Sequence, residues 1–108
     1  MPKIWVDDVR PAPAGYRWAK SVNEAITMIT NYETMSLASG GKKYYKIELL
    51  DLDHDAGDFA GDGGDFIKIL DWLEATNRKY PIKLHTMNVV GRQNMQRIIE
   101  RNGWQEVH

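Results

Sequence analysis

Aspartate and histidine residues stand directly behind three short apolar segments of the sequence. They are Asp7 and Asp8 after the first segment, Asp53, His54 and Asp55 after the second, and His85, Thr86 and Asn88 after the third. Carboxylates held close together repel one another, and proton uptake or a bound cation relieves that repulsion. Oxygen-rich clusters suit Mg²⁺, Mn²⁺ or Ca²⁺, and histidine transfers protons near neutral pH. These residue types therefore indicate a metal-assisted or acid–base site.

Each motif also has a structural explanation when it is taken alone. The pair Asp7 and Asp8 is a common way to end a strand and begin a turn. The stretch 53–55 leads into a glycine-rich loop, and such a loop contains polar residues whether or not it forms a site. In isolation, His85 behind an apolar run is more often a packed core histidine than a catalyst. The functional interpretation therefore depends on whether the three motifs meet in space.

Apolar periodicity and turn residues predict five strands that alternate with three helices. The strands are expected at Lys3–Val6, Tyr16–Ala19, 45–52, 81–84 and 104–107. The first helix is expected after Ser21, whose spacing to Glu24 matches a capping box, and the last is expected to end at Gly103. The middle helix follows the loop 57–64, which lacks the spacing of a calcium-binding loop, and Asp65 is its expected N-cap.

The alternation of strands and helices predicts how the polar motifs are positioned. It is typical of an α/β domain with a mainly parallel sheet covered on both faces. In open parallel sheets, binding sites form beyond the carboxyl ends of the strands. We therefore expect the acidic pair after the first strand to meet Asp53 and His85 at one edge of a five-stranded sheet.

The composition limits the classes of protein to which the chain can belong. Its 108 residues suffice for one domain, spanning 1–108, with a single core. A formal net charge of −1 argues against an extended DNA-binding surface. The absence of cysteine excludes disulfides and thiolate sites, and no apolar stretch is long enough for a membrane span or a signal peptide. We expect a cytoplasmic protein with no membrane partner.

Three motifs occur in the order and spacing of a known family. They are VDDVRPAP at 6–13, LDHDAG at 52–57 and HTMNVVGRQNM at 85–95. With these motifs the chain resembles the cyclic-phosphate processing receiver domains, which are related in fold to the phospho-acceptor domains of response regulators. The resemblance covers nearly the whole chain and implies one receiver-like, flavodoxin-like, three-layer domain. Its first and last helices are expected to be reduced or missing, because 7–15 is too short for a long helix and the sequence stops after the last predicted strand.

The resemblance also implies roles for individual residues. The expected ligands of Mg²⁺ or Mn²⁺ are Asp7, Asp8 and Asp53. The catalytic candidates are His54, His85, Asp53 and Asp55, with the two histidines dividing the base and acid roles. The candidates for binding substrate are Arg10, Thr86, Asn88 and Arg92, since a guanidinium group matches the geometry of phosphate oxygens.

The function implied by the resemblance is hydrolysis of 2′,3′-cyclic phosphates on nucleotides or on RNA ends, as in RNA repair. One alternative is a non-catalytic receiver-like module that binds a phosphorylated ligand or a protein partner. Another is a degenerate phospho-acceptor that uses Asp53, although we cannot place the lysine that pairs with the acyl phosphate. The density of aspartate and histidine favours an enzyme, because a simple anion binder has little use for so many carboxylates. The sequence leaves open the physiological substrate, the need for a metal and the oligomeric state.

Overall fold

The computed structural model describes all residues from 1 to 108 and contains one five-stranded sheet. All neighbouring strands are parallel, in the order β2-β1-β3-β4-β5. The strands are β1 (Lys3–Val6), β2 (Tyr16–Ala19), β3 (Leu49–Leu52), β4 (Ile82–Leu84) and β5 (Glu106–Val107), and the helices are α1 (Val22–Ala38), α2 (Ile67–Ala75) and α3 (Val89–Asn102). The predicted α/β class and the five-stranded parallel sheet are confirmed, and the architecture is consistent with the predicted receiver-like fold.

The hydrophobic core lies on one face of the sheet. Alternate strand residues enter it, which are Ile4, Val6, Ala19, Leu50, Leu52, Ile82 and Leu84. The helices contribute Ala25 and Ile29 from α1, Ile69, Leu70 and Leu73 from α2, and Met95, Ile98 and Ile99 from α3. Since successive side chains of a strand point to opposite faces, every one of these strand residues points towards the same side.

The opposite face of the sheet carries no helix. The connections that contain α1, α2 and α3 all cross the sheet in the same direction, so right-handed crossovers place the three helices on one face. Only the connection from β1 to β2 runs the other way, and it is the segment 7–15, which contains no helix, as predicted. The expected coverage of both faces is therefore not found, because the third layer has no helix to form it. We call the uncovered side the open face, and its residues are Lys3, Trp5, Tyr16, Trp18, Leu49, Asp51, Lys83 and Val107.

Two predicted element boundaries differ from the structure. The strand expected at 45–52 is shorter, because residues Lys43–Tyr45 form a 3-10 turn before β3 begins at Leu49. The last strand is limited to β5, which has two residues. Both segments were predicted from β-favouring side chains, but ladder pairing with a neighbouring strand decides where a strand begins.

Ser21 is confirmed as the N-cap of α1 and Gly103 as the residue that ends α3, whereas the N-cap predicted for α2 is wrong. The Ser21 hydroxyl accepts the Glu24 amide, and the left-handed Gly103 ends α3 with φ of 66°. Phe66 precedes α2 without a side-chain cap, whereas the Asp65 carboxylate accepts the Ala56 amide at 3.0 Å and closes the preceding loop. Asp65 is therefore structural, as predicted, but it stabilises the loop and not the helix. None of the three helices has the length and apolarity needed to cross a membrane.

Candidate active site

Three chain segments meet at the carboxyl edge of the sheet, as expected. Val6 is aligned with Leu52, and Leu52 with Leu84, so the residues that follow them come side by side. These residues are Asp7, Asp53 and His85, and their ligand atoms all lie within 4.8 Å of one another. If the alternation of side chains along each strand is continued, these three residues point to the same side as the open-face residues. The cluster therefore lies on that side of the sheet edge.

His85 is held on both of its ring nitrogens. Its Nδ1 lies 2.7 Å from Asp51 Oδ1, and its Nε2 lies 2.9 Å from Asp7 Oδ2. The ring also stacks on the indole of Trp5, with 3.7 Å between centroids and an angle of 3° between the planes. The side chain is 10% exposed. His85 is thus neither a packed apolar core residue nor a free imidazole, but one that two carboxylates orient.

Asp51 is a site residue that the sequence analysis did not identify. It lies within β3 and is 2% exposed, and its carboxylate is hydrogen-bonded to His85. A buried carboxylate needs a partner that offsets the loss of hydration. The available signal was a charged residue between Leu50 and Leu52 in a fully buried strand, where an acid without a partner would be costly. That signal predicts a partner but cannot name one 34 positions further along the chain.

Arg10 lies inside the acidic cluster. Its Nε donates to Asp7 Oδ2 at 3.0 Å and its Nη2 donates to Asp53 Oδ2 at 3.4 Å, while the side chain remains 47% exposed. Burial alone would raise the pKa of Asp7. The amides of Val9 and Arg10, the His85 ring and the Arg10 charge outweigh burial, and together they lower that pKa. The guanidinium therefore supplies positive charge where the sequence analysis expected a metal ion.

Asp8 has a different environment from Asp7. Burial raises its pKa, and the negative charges of Asp7, Asp53 and Asp58 raise it further. Its carboxylate also lies against Gly57, which has φ of 53° and no room for a Cβ beside Asp8 Oδ2. Among the carboxylates at this edge of the sheet, Asp8 is the one whose ionised form a bound cation would stabilise most.

His54 and Asp55 form a second imidazole–carboxylate pair. His54 Nδ1 lies 2.8 Å from Asp55 Oδ1, and Asn88 Nδ2 lies 3.3 Å from the same oxygen. The ring packs against Gly91 of α3, where a Cβ would collide with it. The hydrogen bonds of the ring involve Nδ1 alone, and the protein provides no partner for Nε2. The His54 side chain is 14% exposed. One nitrogen is oriented by Asp55 and the other is free to contact a ligand.

The remaining candidates for substrate binding, Thr86, Asn88 and Arg92, mainly shape the turn between β4 and α3. The hydroxyl of Thr86 accepts the Asn88 amide, and Asn88 Oδ1 accepts the Gly91 amide as the N-cap of α3. Arg92 Nη2 donates to the carbonyls of Leu84 and Thr86, both at 3.1 Å. Arg92 is thus bound to backbone oxygens, and Arg10 is the arginine placed among the acids.

The residues present fit a divalent cation in part. Asp7, Asp53 and His85 form one group that could ligate a metal, and His54, Asp55 and Asp65 form another. Carboxylate oxygens suit Mg²⁺ and Mn²⁺. In the first group, however, Asp7 and Asp53 bind Arg10 and His85 binds Asp51. A metal there would replace the Arg10 contacts and would draw on the Asp8 carboxylate, whose pKa is raised by burial and by the neighbouring negative charges.

Comparison with known proteins gives one family. The family model described as the cyclic-phosphate processing receiver domain matches residues 2–101. Neither a curated protein nor a solved structure gives a significant match. The matched range includes all three segments of the acidic edge and the strands β1 to β4. It ends one residue before the end of α3 and leaves out β5. The chain therefore belongs to the cyclic-phosphate processing receiver domain family.

Proposed function

We propose that the protein hydrolyses 2′,3′-cyclic phosphates to phosphate monoesters at the carboxyl edge of the sheet. The observation that carries this proposal is the pairing of His54 with Asp55, which leaves Nε2 free, directly after Asp53, which binds the exposed Arg10. An imidazole oriented by a carboxylate is suited to take a proton from water. A guanidinium group is suited to neutralise phosphoryl oxygens. Membership of the family supports the substrate class.

In this reaction His54 serves as the general base. Its Nε2 takes a proton from a water whose oxygen attacks phosphorus, and the bond between phosphorus and one ribose oxygen breaks. Asp55 holds Nδ1 and favours the tautomer in which Nε2 is unprotonated. Asn88 fixes the Asp55 carboxylate, and the free amides at the start of α3 face the anion.

His85 supplies the proton for the leaving ribose oxygen. Its Nε2 lies 2.9 Å from Asp7 Oδ2, and in the protonated ring this nitrogen exchanges its bond to Asp7 for one to the substrate as the P–O bond breaks. Asp51 and the Trp5 stack keep the ring in place during the exchange. Asp51 is accordingly a positioning residue and His85 the acid. If a divalent metal binds, Asp7, Asp8 and Asp53 would hold it, and it would neutralise charge on the phosphoryl oxygens.

The test is an assay of the purified protein on 2′,3′-cyclic mononucleotides and on an oligoribonucleotide with a cyclic-phosphate end, with EDTA and with Mg²⁺ or Mn²⁺. Loss of a general acid or base lowers rates by roughly 10²–10⁴-fold, so His54→Ala and His85→Ala should each lose that much kcat while remaining folded. His108→Ala is the control, because His108 is exposed and lies after β5. Turnover that survives both site substitutions contradicts the mechanism, and no turnover on any substrate contradicts the function.

A non-catalytic module that binds a phosphorylated ligand is the second candidate. It is favoured by the charge balance of the cluster, where Arg10 and His85 already pair with the acids. Phosphorylation of Asp53 is less favoured, because one of its oxygens binds Arg10 and the other accepts the His54 amide. Binding of a cyclic mononucleotide without turnover would support the module over the enzyme.

A further inference from the structure

The open face combines aromatic rings with lysines. Trp5 and Tyr16 meet edge to face at 5.9 Å, and the Lys3 ammonium lies 5.5 Å from the Tyr16 ring. The Lys20 ammonium, at the end of β2, lies 4.4 Å from the ring of Trp18. All three aromatic residues are partly exposed, and no helix covers them. Aromatic rings with cations beside them are the means by which proteins hold single-stranded nucleic acid without base-specific contacts.

The open face is continuous with the candidate active site. Trp5 is aligned with Asp51 and Asp51 with Lys83, which forms one row across three strands. The next row on the same side consists of the cluster residues after the strand ends, and Trp5 itself stacks on His85. The distance from β2 to β4 is three strand spacings, roughly 14 Å. This is the length of about four stacked nucleotides.

The charged residues of this face favour a polyanion. Lys20 and Lys83 have no acidic partner, and the Lys3 ammonium lies 3.5 Å from Glu48. The single acid of the face, Asp51, is 2% exposed and engaged by His85. Its two aliphatic residues are Leu49, which is buried, and Val107 on the edge strand β5, which is partly exposed, so the face presents little aliphatic surface. The most exposed large aliphatic side chains lie elsewhere, at Leu37, Val9, Met87, Val89 and Val90.

We propose that the open face binds single-stranded RNA and delivers its 3′ end, which carries the cyclic phosphate, to the candidate active site. The proposal rests on the proposed function, because it identifies an RNA end and not a small cyclic nucleotide as the substrate. Bases stack on the rings of Tyr16 and Trp18, and backbone phosphates pair with the lysines. Trp5, stacked on His85, marks the point where the strand reaches the acidic edge.

The first test measures binding without catalysis. A fluorescein-labelled octaribonucleotide with an ordinary 3′-hydroxyl is titrated with protein, and anisotropy gives Kd. Three lysine–phosphate contacts predict that log Kobs falls against log salt with a slope of roughly −2. Tyr16→Ala should weaken binding about 10-fold through lost stacking. The double variant Lys20→Glu, Lys83→Glu should flatten the slope, whereas the control Lys68→Glu, at an exposed position of α2, should leave Kd and slope unchanged.

The second test compares substrates. Wild-type kcat/KM should be at least about 10-fold higher for an octamer with a cyclic-phosphate end than for a cyclic mononucleotide, since face contacts are added. The double lysine variant should lose that advantage and keep the mononucleotide rate, because neither lysine contacts the acidic cluster.

The outcomes separate the two proposals. Octamer binding without any turnover contradicts the phosphoesterase but leaves the RNA surface standing. Turnover of mononucleotides with no preference for the octamer, or binding that is insensitive to the face variants, overturns the RNA surface alone. A dimer in sedimentation velocity that the double lysine variant dissociates also overturns it, because a second copy of the chain would then occupy the face.

Discussion

At the scale of single residues, the acidic cluster contains carboxylates with opposite environments. Asp7 is surrounded by donors, which are two amides, the His85 ring and the Arg10 guanidinium. Asp8 faces the negative charges of Asp7, Asp53 and Asp58. Neighbours in sequence therefore have pKa values displaced in opposite directions, and only one of them stabilises the fold when ionised.

Asp8→Asn should stabilise the metal-free protein. The pKa of Asp8 is raised by burial and by neighbouring acids, so the native state holds the proton more tightly than the unfolded chain. Protonated Asp8 favours the native state below its unfolded pKa of 3.8, and this contribution is lost as pH rises through the folded pKa. At pH 7 we expect the variant to melt about 2–4 °C higher, on the order of 0.5 kcal/mol. The gain should vanish at about pH 3.5.

Thermal unfolding in EDTA measures this difference, with Asp71→Asn, at an exposed position of α2, as the control. Addition of millimolar Mg²⁺ or Mn²⁺ should raise the Tm of wild type more than that of Asp8→Asn, if these acids hold a metal. A variant that is less stable than wild type at neutral pH would contradict the proposed repulsion.

At the scale of elements, helix α3 positions the His54–Asp55 pair by close contact. Gly91 is buried in its first turn, and His54 lies where the Cβ of any other residue would be. The N-cap residue Asn88 serves both the helix and Asp55, since its Oδ1 accepts the Gly91 amide while its Nδ2 reaches the Asp55 carboxylate. The start of α3 and the end of β3 are therefore fixed relative to each other.

Gly91→Ala should impair catalysis more than stability. An alanine gains helix propensity of about 1 kcal/mol, which offsets part of an overpacking cost of roughly 1–3 kcal/mol. The new methyl group would still displace the His54 ring, and a displacement of about 1 Å can cost on the order of 10²-fold in rate. Parallel measurement of kcat and Tm tests this, with Gly61→Ala as the control because nothing lies within 4 Å of its Cβ. A wild-type kcat in Gly91→Ala would remove His54 from the mechanism.

Local patterns predicted the elements well and the contacts between them less well. The strand ends that carry Asp7, Asp53 and His85 could be predicted, because parallel strands bring their carboxyl ends to one edge. The partnership of Asp51 with His85 could not, since it depends on the side of the sheet to which each residue points and on Trp5 closing over the ring. The role of Arg92 in binding backbone carbonyls likewise depends on the turn geometry between β4 and α3.

At the scale of the whole molecule, a separate ionic cluster stabilises the end of the sheet opposite the candidate active site. Arg78, in the connection from α2 to β4, donates to both oxygens of Glu33 on α1, and it also stacks on Trp72 at 4.4 Å. The Tyr80 hydroxyl donates to the same carboxylate. Burial, together with this carboxylate, raises the pKa of Tyr80, so the phenol remains a donor. This ionic cluster and the candidate active site therefore lie at different ends of the domain.

Glu33→Gln should lower stability without changing activity. Burial raises the pKa of Glu33, but the bonds from Arg78 and Tyr80 outweigh it and lower that pKa. The carboxylate therefore stabilises the fold above its unfolded value of 4.5, and this contribution is lost as pH falls through the folded pKa. We expect a loss of roughly 1–2 kcal/mol at pH 7 in urea unfolding and a smaller loss in acid. Glu100→Gln, at an exposed position of α3, is the control. A changed kcat/KM in Glu33→Gln would contradict the expectation that this cluster affects stability alone.

The short connection between β1 and β2 also has a consequence for the order of folding. Parallel neighbours usually need a dozen or more residues between them, yet nine residues, 7–15, join these strands. Lys3 pairs with Tyr16 in one direction and with Leu49 in the other, so the first pairing closes a much shorter loop and costs less chain entropy. The indoles of Trp5 and Trp18 bind carbonyls of the connecting loop. We therefore expect their fluorescence to change in the earliest kinetic phase of refolding, before β3 and β4 join the sheet and assemble the acidic edge.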